Sequence, residues 1–561
     1  MAGVIDKILK NKFKLVLFLL FIIGFFLRVY KLESVPLGFH DDELDAGYIG
    51  RYILLHGKDI KGNYLPFYYD KLDDFRPAGI FYLSGISTFI FGTNEFAVRF
   101  PSAFFGALTV LAIYFFGLEL TKNRYVALTS SFLLSLSPWH IELSRATSES
   151  VIGLFFALLG LTLFIKGFSS KSAKLMLSSF FPLIIAYFFY HSFRLLIPLF
   201  LFPFIFVKIQ SAKKIKFLVI FSFCLFLFVT AGIGMTKWGR GRFSQVAFYL
   251  NPSISNTIDK QIFADGPGVG LNIIKTRFFH NKVIIYTREF LKQYLGYFSP
   301  SFIFLEGGLP ERYKVPESGL FFFTEAFMIF LGLLLLFVDK GRKFGKYYIL
   351  YLLFTAPFAA ALTFEDVPNV QRSIFLVIPL ILIAAFGFSF INKVKTKHKL
   401  LTISVLFCLF FEFILFFHQY MVHSPSYKSL LRKEGNREVV KAIINRRNSY
   451  NKVVMARAYD IGLYYLFFSN NFNPLPAGSV KYDNTIESAD NVLFTREECP
   501  SKEINKYEQL FQTKKILIVD DTNCPFDTTT FDFIDEIVRK DSTQAFRLLT
   551  PIEPNPIFML R

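Results

Sequence analysis

Three consecutive carboxylates, Asp41, Asp42 and Glu43, stand shortly after an apolar run, Phe13 to Tyr30, that is long enough to cross a bilayer. Acids at such a boundary are either a solvated loop or groups in use, as a catalytic base or along a substrate path. Cations recur in other turns. Arg145 follows Ser137-Pro138-Trp139-His140, Arg194 follows Tyr190-His191, and Arg372 opens a later apolar run. The arginine fork fits phosphate oxygens, although any one of these residues taken singly could simply snorkel at a helix end. Taken together, the acids and arginines point to chemistry on a phosphate-bearing lipid. The same three acids could also hold a divalent ion through oxygen ligands.

The composition says what scaffold must position them. With 53% hydrophobic residues, 75 Phe and a mean hydropathy of +0.42 over 561 residues, the chain is too apolar for a soluble enzyme. It reads as a polytopic α-helical membrane protein. Beyond the first run, spans are expected near 96–120, 125–143, 149–168, 174–191, 195–209, 215–234, 319–338, 346–363, 373–391 and 400–418, about eleven transmembrane helices in all. The segment 78–91 is short for a span and is expected to be re-entrant or interfacial.

The net charge of +19 could suggest a nucleic-acid binder, but its distribution does not. It falls in the N-terminal segment (Lys7, Lys10, Lys12, Lys14) and in alternate turns. These hold Lys122 and Arg124; Lys166, Lys171 and Lys174; Lys208, Lys213, Lys214 and Lys216; Lys340, Arg342, Lys343 and Lys346; and Lys393, Lys395, Lys397 and Lys399. Only Asp6 and Asp339 oppose them there. By the positive-inside rule these segments are cytoplasmic, the N-terminus is inside and the acidic cluster is outside. A crossing at 78–91 would invert the bias, so that segment is expected not to span. No signal-peptide cleavage site follows the first run, which is read as a retained anchor in the plasma (inner) membrane.

Three outer regions are long enough to carry function: loop 31–95, loop 235–318 and the tail. The expected division is a transmembrane domain over 1–418 and an extracytoplasmic α/β domain over 419–561. In the tail, short apolar runs such as Lys452 to Ala456 and Ile516 to Val519 alternate with polar helical stretches such as Asn436 to Arg447. Cys224 and Cys408 fall in apolar spans. Cys499 and Cys524 fall in the outer tail, where a disulfide is chemically permitted. No Cys/His spacing matches a zinc site. Gly266-Pro-Gly268-Val-Gly270 has no strand before it and reads as a turn, and Lys515 to Asp521 reads as a buried strand ending in an acidic turn.

If the lipid carries a sugar through phosphate on a polyprenol, the leaving group is already a stable phosphate. Cations can support its departure, and one carboxylate suffices to deprotonate the incoming hydroxyl. Glycosidases differ, because an alkoxide must leave and two acids are usual.

Several stretches carry a resemblance. They are Asp42-Glu43 with Gly47-Tyr48, Leu54-Leu55-His56-Gly57-Lys58-Asp59, Leu65-Pro66 and Pro77; then Phe91-Gly92 through Arg99-Phe100-Pro101-Ser102; then Ser137-Pro138-Trp139-His140 with Ser144-Arg145 and Glu149. Tyr297 to Pro300 with Phe304, and Ala360 to Thr363 with Pro368 and Arg372, continue it. Over residues 10–420 the chain resembles bacterial members of the protein O-mannosyltransferase and aminoarabinose-transferase superfamily, glycosyltransferases of the GT-C fold in family 39. The resemblance implies a polyprenyl-phosphate-sugar donor, inversion at the anomeric carbon and a lipid, glycan or protein acceptor. It implies Asp42 as base with Glu43 and Asp41 beside it, Arg145 and Arg372, with Arg194, facing the donor phosphate, and Tyr48, His140 and Glu149 as substrate contacts. Two departures stand out. Asp41 is an extra acid that could shift the register of the base, and Asn369 stands where the family pattern has His before Arg372. The Trp-Trp-Asp signature of oligosaccharyltransferases is absent, the tryptophans being Trp139 and Trp238.

A transporter or flippase of lipid-linked sugars would use similar groups, but would place them at the bilayer midplane within internal repeats. The expected spans carry little charge in their middles, and no repeat is visible.

Overall fold

The computed structural model describes residues 2–207, 213–270, 272–338, 343–393, 399–427, 429–456, 458–475, 480, 485–511 and 515–552. Lys208, Lys340, Arg342, Lys395 and Lys397, assigned above to cytoplasmic turns, lie outside these residues. The chain forms two compact units. One comprises Met1–Tyr30, Asp73–Pro77 and Ser102–Gln419, and the other Lys31–Leu72, Ala78–Pro101 and Tyr420–Arg561.

The first unit is helical. Five described helices are long and apolar enough to cross a membrane: Glu95–Thr121, Glu149–Ser169, Lys213–Met235, Ile374–Ile391 and Leu400–His423. Shorter apolar helices cover Ala173–Phe189, Ser192–Ile205 and Phe323–Phe337. The run expected at 125–143 is broken at Ser137, where Pro138 starts a new helix, Pro138–Ser144, after Arg124–Leu136. Ile374–Ile391 is the buried centre, with 78% of its apolar window inside, whereas Leu400–His423 has 17% inside. An apolar helix that exposed needs lipid around it. Small residues set the close crossings. A Cβ on Gly387 would stand 2.1 Å from the Met328 carbonyl oxygen, and one on Gly332 1.9 Å from that of Ile383, so these two helices meet backbone to backbone.

In the second unit, helix Asp41–His56 crosses helix Gly79–Phe91, which is 13 residues long, as expected of the short segment. The tail forms a six-stranded mixed sheet. Numbering β1 (Tyr68–Lys71) and β2 (Asp74–Pro77) first, its strands are β3 (Lys452–Met455), β4 (Ser488–Ala489), β5 (Val492–Phe494), β6 (Ile516–Asp521), β7 (Phe531–Val538) and β8 (Gln544–Pro551). Their order is β4-β5-β3-β6-β8-β7, with β3 parallel to both β5 and β6. Strand β6 is buried along its whole length, consistent with its apolar run and its place between two neighbours. Cys499 and Cys524 form a disulfide.

This unit resumes in the tail at Tyr420, and the early segments Lys31–Leu72 and Ala78–Pro101 pack with the tail inside it. Its anchor is Phe39, whose ring sits 5.6 Å from Phe467 and 6.0 Å from Phe468. Such pairing joins residues more than four hundred positions apart, and no local composition change announces it.

Candidate active site

The acidic cluster is the first turn of a helix. His40 is its N-cap: the Asp42 amide donates to His40 Nδ1 at 3.2 Å, and the His40 amide donates to Glu43 Oε2 at 3.2 Å. Three carboxylates in a first turn also suit the positive end of the helix dipole. Gly57 closes the helix at φ +68°, a conformation glycine adopts without strain. The crossing with helix Gly79–Phe91 is close because position 50 has no side chain: a Cβ there would lie 2.1 Å from the Phe81 carbonyl oxygen.

The three acids have three different surroundings. Glu43 is buried, and Arg99 grips it from Nε at 3.0 Å and from its terminal nitrogen at 2.9 Å, while Arg432 reaches it at 3.2 Å. Arg99 also donates to the carbonyls of Leu32, Glu33, Pro36 and Gly38, so the chain entering the helix is wrapped around one guanidinium. Asp41 lies 3.5 Å from Lys433 and accepts from the Tyr464 hydroxyl at 3.5 Å. Asp42 has the most exposed side chain of the three, at 40%, with the His40 ring 3.5 Å away.

This arrangement does not make a cation cage. Among the described residues no group of three or more His, Cys, Asp or Glu is disposed to hold a metal ion, and Glu43 is committed to two arginines. The expected option of a divalent site at Asp41, Asp42 and Glu43 is therefore not met. Consecutive helical positions point about 100° apart, which is why adjacency in sequence did not become convergence in space.

Asp45 was passed over in the sequence, although its spacing from Asp41 and Asp42 puts it on the same helix face. It is buried and pairs with Lys71 at 2.9 Å. Lys61 stands close by, donating to the Asp70 carbonyl and lying 5.6 Å from the Tyr69 ring centre. Burial pulls the Lys61 ammonium below its ordinary value, against the opposing pull of Asp70, Asp59 and Asp45. Tyr48, expected to touch substrate, is fully buried. Its hydroxyl donates to the Asn471 carbonyl and its ring stacks on Phe472 at 5.0 Å, a packing position in which burial raises the phenol.

The first unit holds the remaining residues. Glu149 opens helix Glu149–Ser169 and pairs with Arg76 at 2.5 Å, and His191 Nε2 sits 3.1 Å from the Phe75 carbonyl. Arg76 carries no motif in the sequence, and only the fold supplies its partner. Three expected ligands point inward. Arg145 is fully buried and donates to the Leu27 carbonyl, Arg194 donates to the Tyr187 carbonyl, and His140 is fully buried with its Nδ1 2.8 Å from Arg28. Their contacts brace helices, while among the described residues Arg145 Nε and His140 Nε2 are buried without a hydrogen-bond partner.

Arg372 differs. It donates to Thr363 Oγ1 at 2.9 Å and to the Glu365 carbonyl at 2.6 Å, with the half-exposed Glu365 carboxylate at 3.3 Å. Asn369, the residue that departs from the family pattern, caps this turn by accepting from the amides of Gln371 and Arg372 at 3.0 and 2.9 Å. Gln371 in turn donates to the Tyr313 hydroxyl at 3.1 Å.

An apolar helical unit joined in one chain to a mixed-sheet unit, with an acidic helix start at Asp41–Glu43, is the GT-C fold of membrane proteins. ArnT from Cupriavidus metallidurans, in a structure titled as bound to undecaprenyl phosphate, superposes with a TM-score of 0.50 at 10% identity over 96% of this chain and 97% of that one. A family profile described as dolichyl-phosphate-mannose-protein mannosyltransferase matches residues 17–231. Two curated relatives align over part of the chain. The undecaprenyl phosphate-alpha-4-amino-4-deoxy-L-arabinose arabinosyl transferase 2 of Sodalis glossinidius (strain morsitans) is 32% identical over 105 residues, 18% of each chain. The corresponding transferase of Wigglesworthia glossinidia brevipalpis is 29% identical over 153 residues, 26% of each. The aligned stretches thus span about a fifth to a quarter of those relatives' length.

Proposed function

We propose that the protein is a membrane glycosyltransferase. It moves a sugar from a polyprenyl-phosphate donor to an acceptor hydroxyl on the extracytoplasmic face, with Asp42 as general base. The observation that carries this is the contrast within the acidic turn: Glu43 is locked between Arg99 and Arg432, and Asp42, held on that frame, keeps an exposed carboxylate. The family-profile match over residues 17–231 and the printed activities of the partial relatives support the same reaction class.

In this reading Asp42 takes the proton of the acceptor hydroxyl as its oxygen attacks the anomeric carbon. The carbon–oxygen bond to the phosphate breaks, and its electron pair leaves with the lipid phosphate. Attack opposite the leaving group inverts the anomeric centre. Arg372 supplies the cation for the phosphate by exchanging its contacts with Glu365 and Thr363, and Asn369 keeps its turn in place. The N-terminus is cytoplasmic and the tail extracytoplasmic in the inner membrane, consistent with the charge distribution and with a disulfide in the tail. The acceptor is a lipid, glycan or protein hydroxyl.

The test is an assay of the purified full chain in nanodiscs, offered undecaprenyl-phosphate sugars and envelope acceptors. Donor-dependent transfer supports the reading; binding of the lipid without transfer or hydrolysis of any such donor would contradict it.

A further inference from the structure

The loop between helices Lys213–Met235 and Phe323–Val338 folds into helices of its own, among them Pro252–Phe263, Ile273–Phe279 and Lys282–Gly296. They share a small interior of Ile254, Ile258 and Ile285. Outside that interior they do what a water-facing loop does not: Ile274 is 76% exposed, Phe278 70% and Val283 76%, with Phe279 and Ile284 beside them. Interleaved with these are Lys275, Arg277, Lys282 and Arg288, all exposed, none of which has a carboxylate partner among the described residues.

The position of this surface is fixed. The Tyr294 hydroxyl donates to the carbonyl of Phe354 at 2.6 Å, at the end of helix Lys343–Thr355, and the Phe248 amide donates to the Leu362 carbonyl at 2.9 Å. The apolar patch is thereby tied to the end of an apolar helix whose own Phe354 is exposed.

We infer that helices Ile273–Phe279 and Lys282–Gly296 form a plank seated in the outer leaflet of the bilayer, their apolar residues among acyl chains and their basic residues on anionic phosphate headgroups. Two features select lipid over a protein partner: continuity with the end of an apolar helix, and alternation of long apolar with basic side chains, which matches the boundary between acyl chain and phosphate. The plank holds the outer loop at the depth from which a lipid-linked substrate would be drawn.

Spin labels test the placement in the full-length protein. On a background of Cys224→Ser and Cys408→Ser, single labels are introduced by Ile274→Cys, Phe278→Cys, Val283→Cys, Lys275→Cys and Lys282→Cys, with Ile258→Cys as an interior control. Collision rates with oxygen and with a water-soluble nickel chelate are read in nanodiscs of phosphatidylcholine with and without phosphatidylglycerol. The expected result is that labels at 274, 278 and 283 are reached preferentially by oxygen, labels at 275 and 282 preferentially by nickel, and that at 258 by neither. The combined Lys275→Glu, Arg277→Glu and Lys282→Glu variant should shift the first three towards nickel in the phosphatidylglycerol discs. Preferential nickel access at 274, 278 and 283 in both lipids would overturn the placement. Depths unchanged by charge reversal in phosphatidylglycerol would overturn the headgroup contact.

Discussion

Arg99 holds Glu43 with two hydrogen bonds, 3.0 Å from Nε and 2.9 Å from a terminal nitrogen, and neither side chain reaches water. This pair is the frame of the acidic turn: the same guanidinium gathers the carbonyls of the preceding chain, and the same carboxylate caps the helix and meets Arg432.

Glu43→Gln should therefore act on stability. Removing one member of a buried ion group leaves the others uncompensated, at a cost of about 3–5 kcal/mol. Thermal unfolding of the purified protein should show a large loss, and the fraction that stays folded should keep its donor affinity. An unchanged unfolding temperature would mean that the pair does not brace the turn.

The Arg76–Glu149 pair should behave as a unit. Arg76→Glu or Glu149→Arg alone should each cost about 3–5 kcal/mol by leaving like charges buried. The double exchange should recover at least half of that loss. A double-mutant cycle in unfolding free energy gives the coupling directly.

In the tail, Asp490 accepts from Tyr465 and Arg447, and these hydrogen bonds outweigh burial and hold its carboxyl below the ordinary aspartate value. A carboxylate whose value is depressed on folding contributes stability above its unfolded value of about 3.9 and loses it as pH falls through the lower folded value. Asp490→Asn should flatten the acid limb of stability against pH and leave the neutral region little changed in slope. An unaltered acid limb would remove Asp490 from that role.

Arg372→Ala should weaken binding of a polyprenyl-phosphate sugar by roughly tenfold, the scale of one charge-assisted phosphate contact. Arg145→Lys should instead lower the unfolding temperature without changing donor affinity in the folded protein, because Arg145 is fully buried on the Leu27 carbonyl. Equal effects of the two on donor affinity would contradict the division.

Much of this was legible in the chain, and the limits have physical causes. Most apolar runs became helices near their expected ends because length and hydropathy are local properties, and the break at Ser137–Pro138 follows from a local breaker. The acidic turn was legible as a unit. What each acid does was not, because Glu43 is defined by Arg99 and Arg432, far away in sequence. Likewise Arg145, Arg194 and His140 carry residue types that suit a ligand, and only the fold shows that they are buried beside main-chain and side-chain partners. Asp45 was within reach, since its helical spacing from Asp41 and Asp42 could be counted.

The most direct measurement is turnover of Asp42→Asn on a polyprenyl-phosphate sugar, beside donor binding and unfolding of the same preparation. Loss of a positioned general base should lower transfer by about 10²–10⁴-fold, with donor affinity and unfolding temperature close to those of the unaltered protein. Transfer at the unaltered rate would contradict Asp42 as base and shift the role to Asp41.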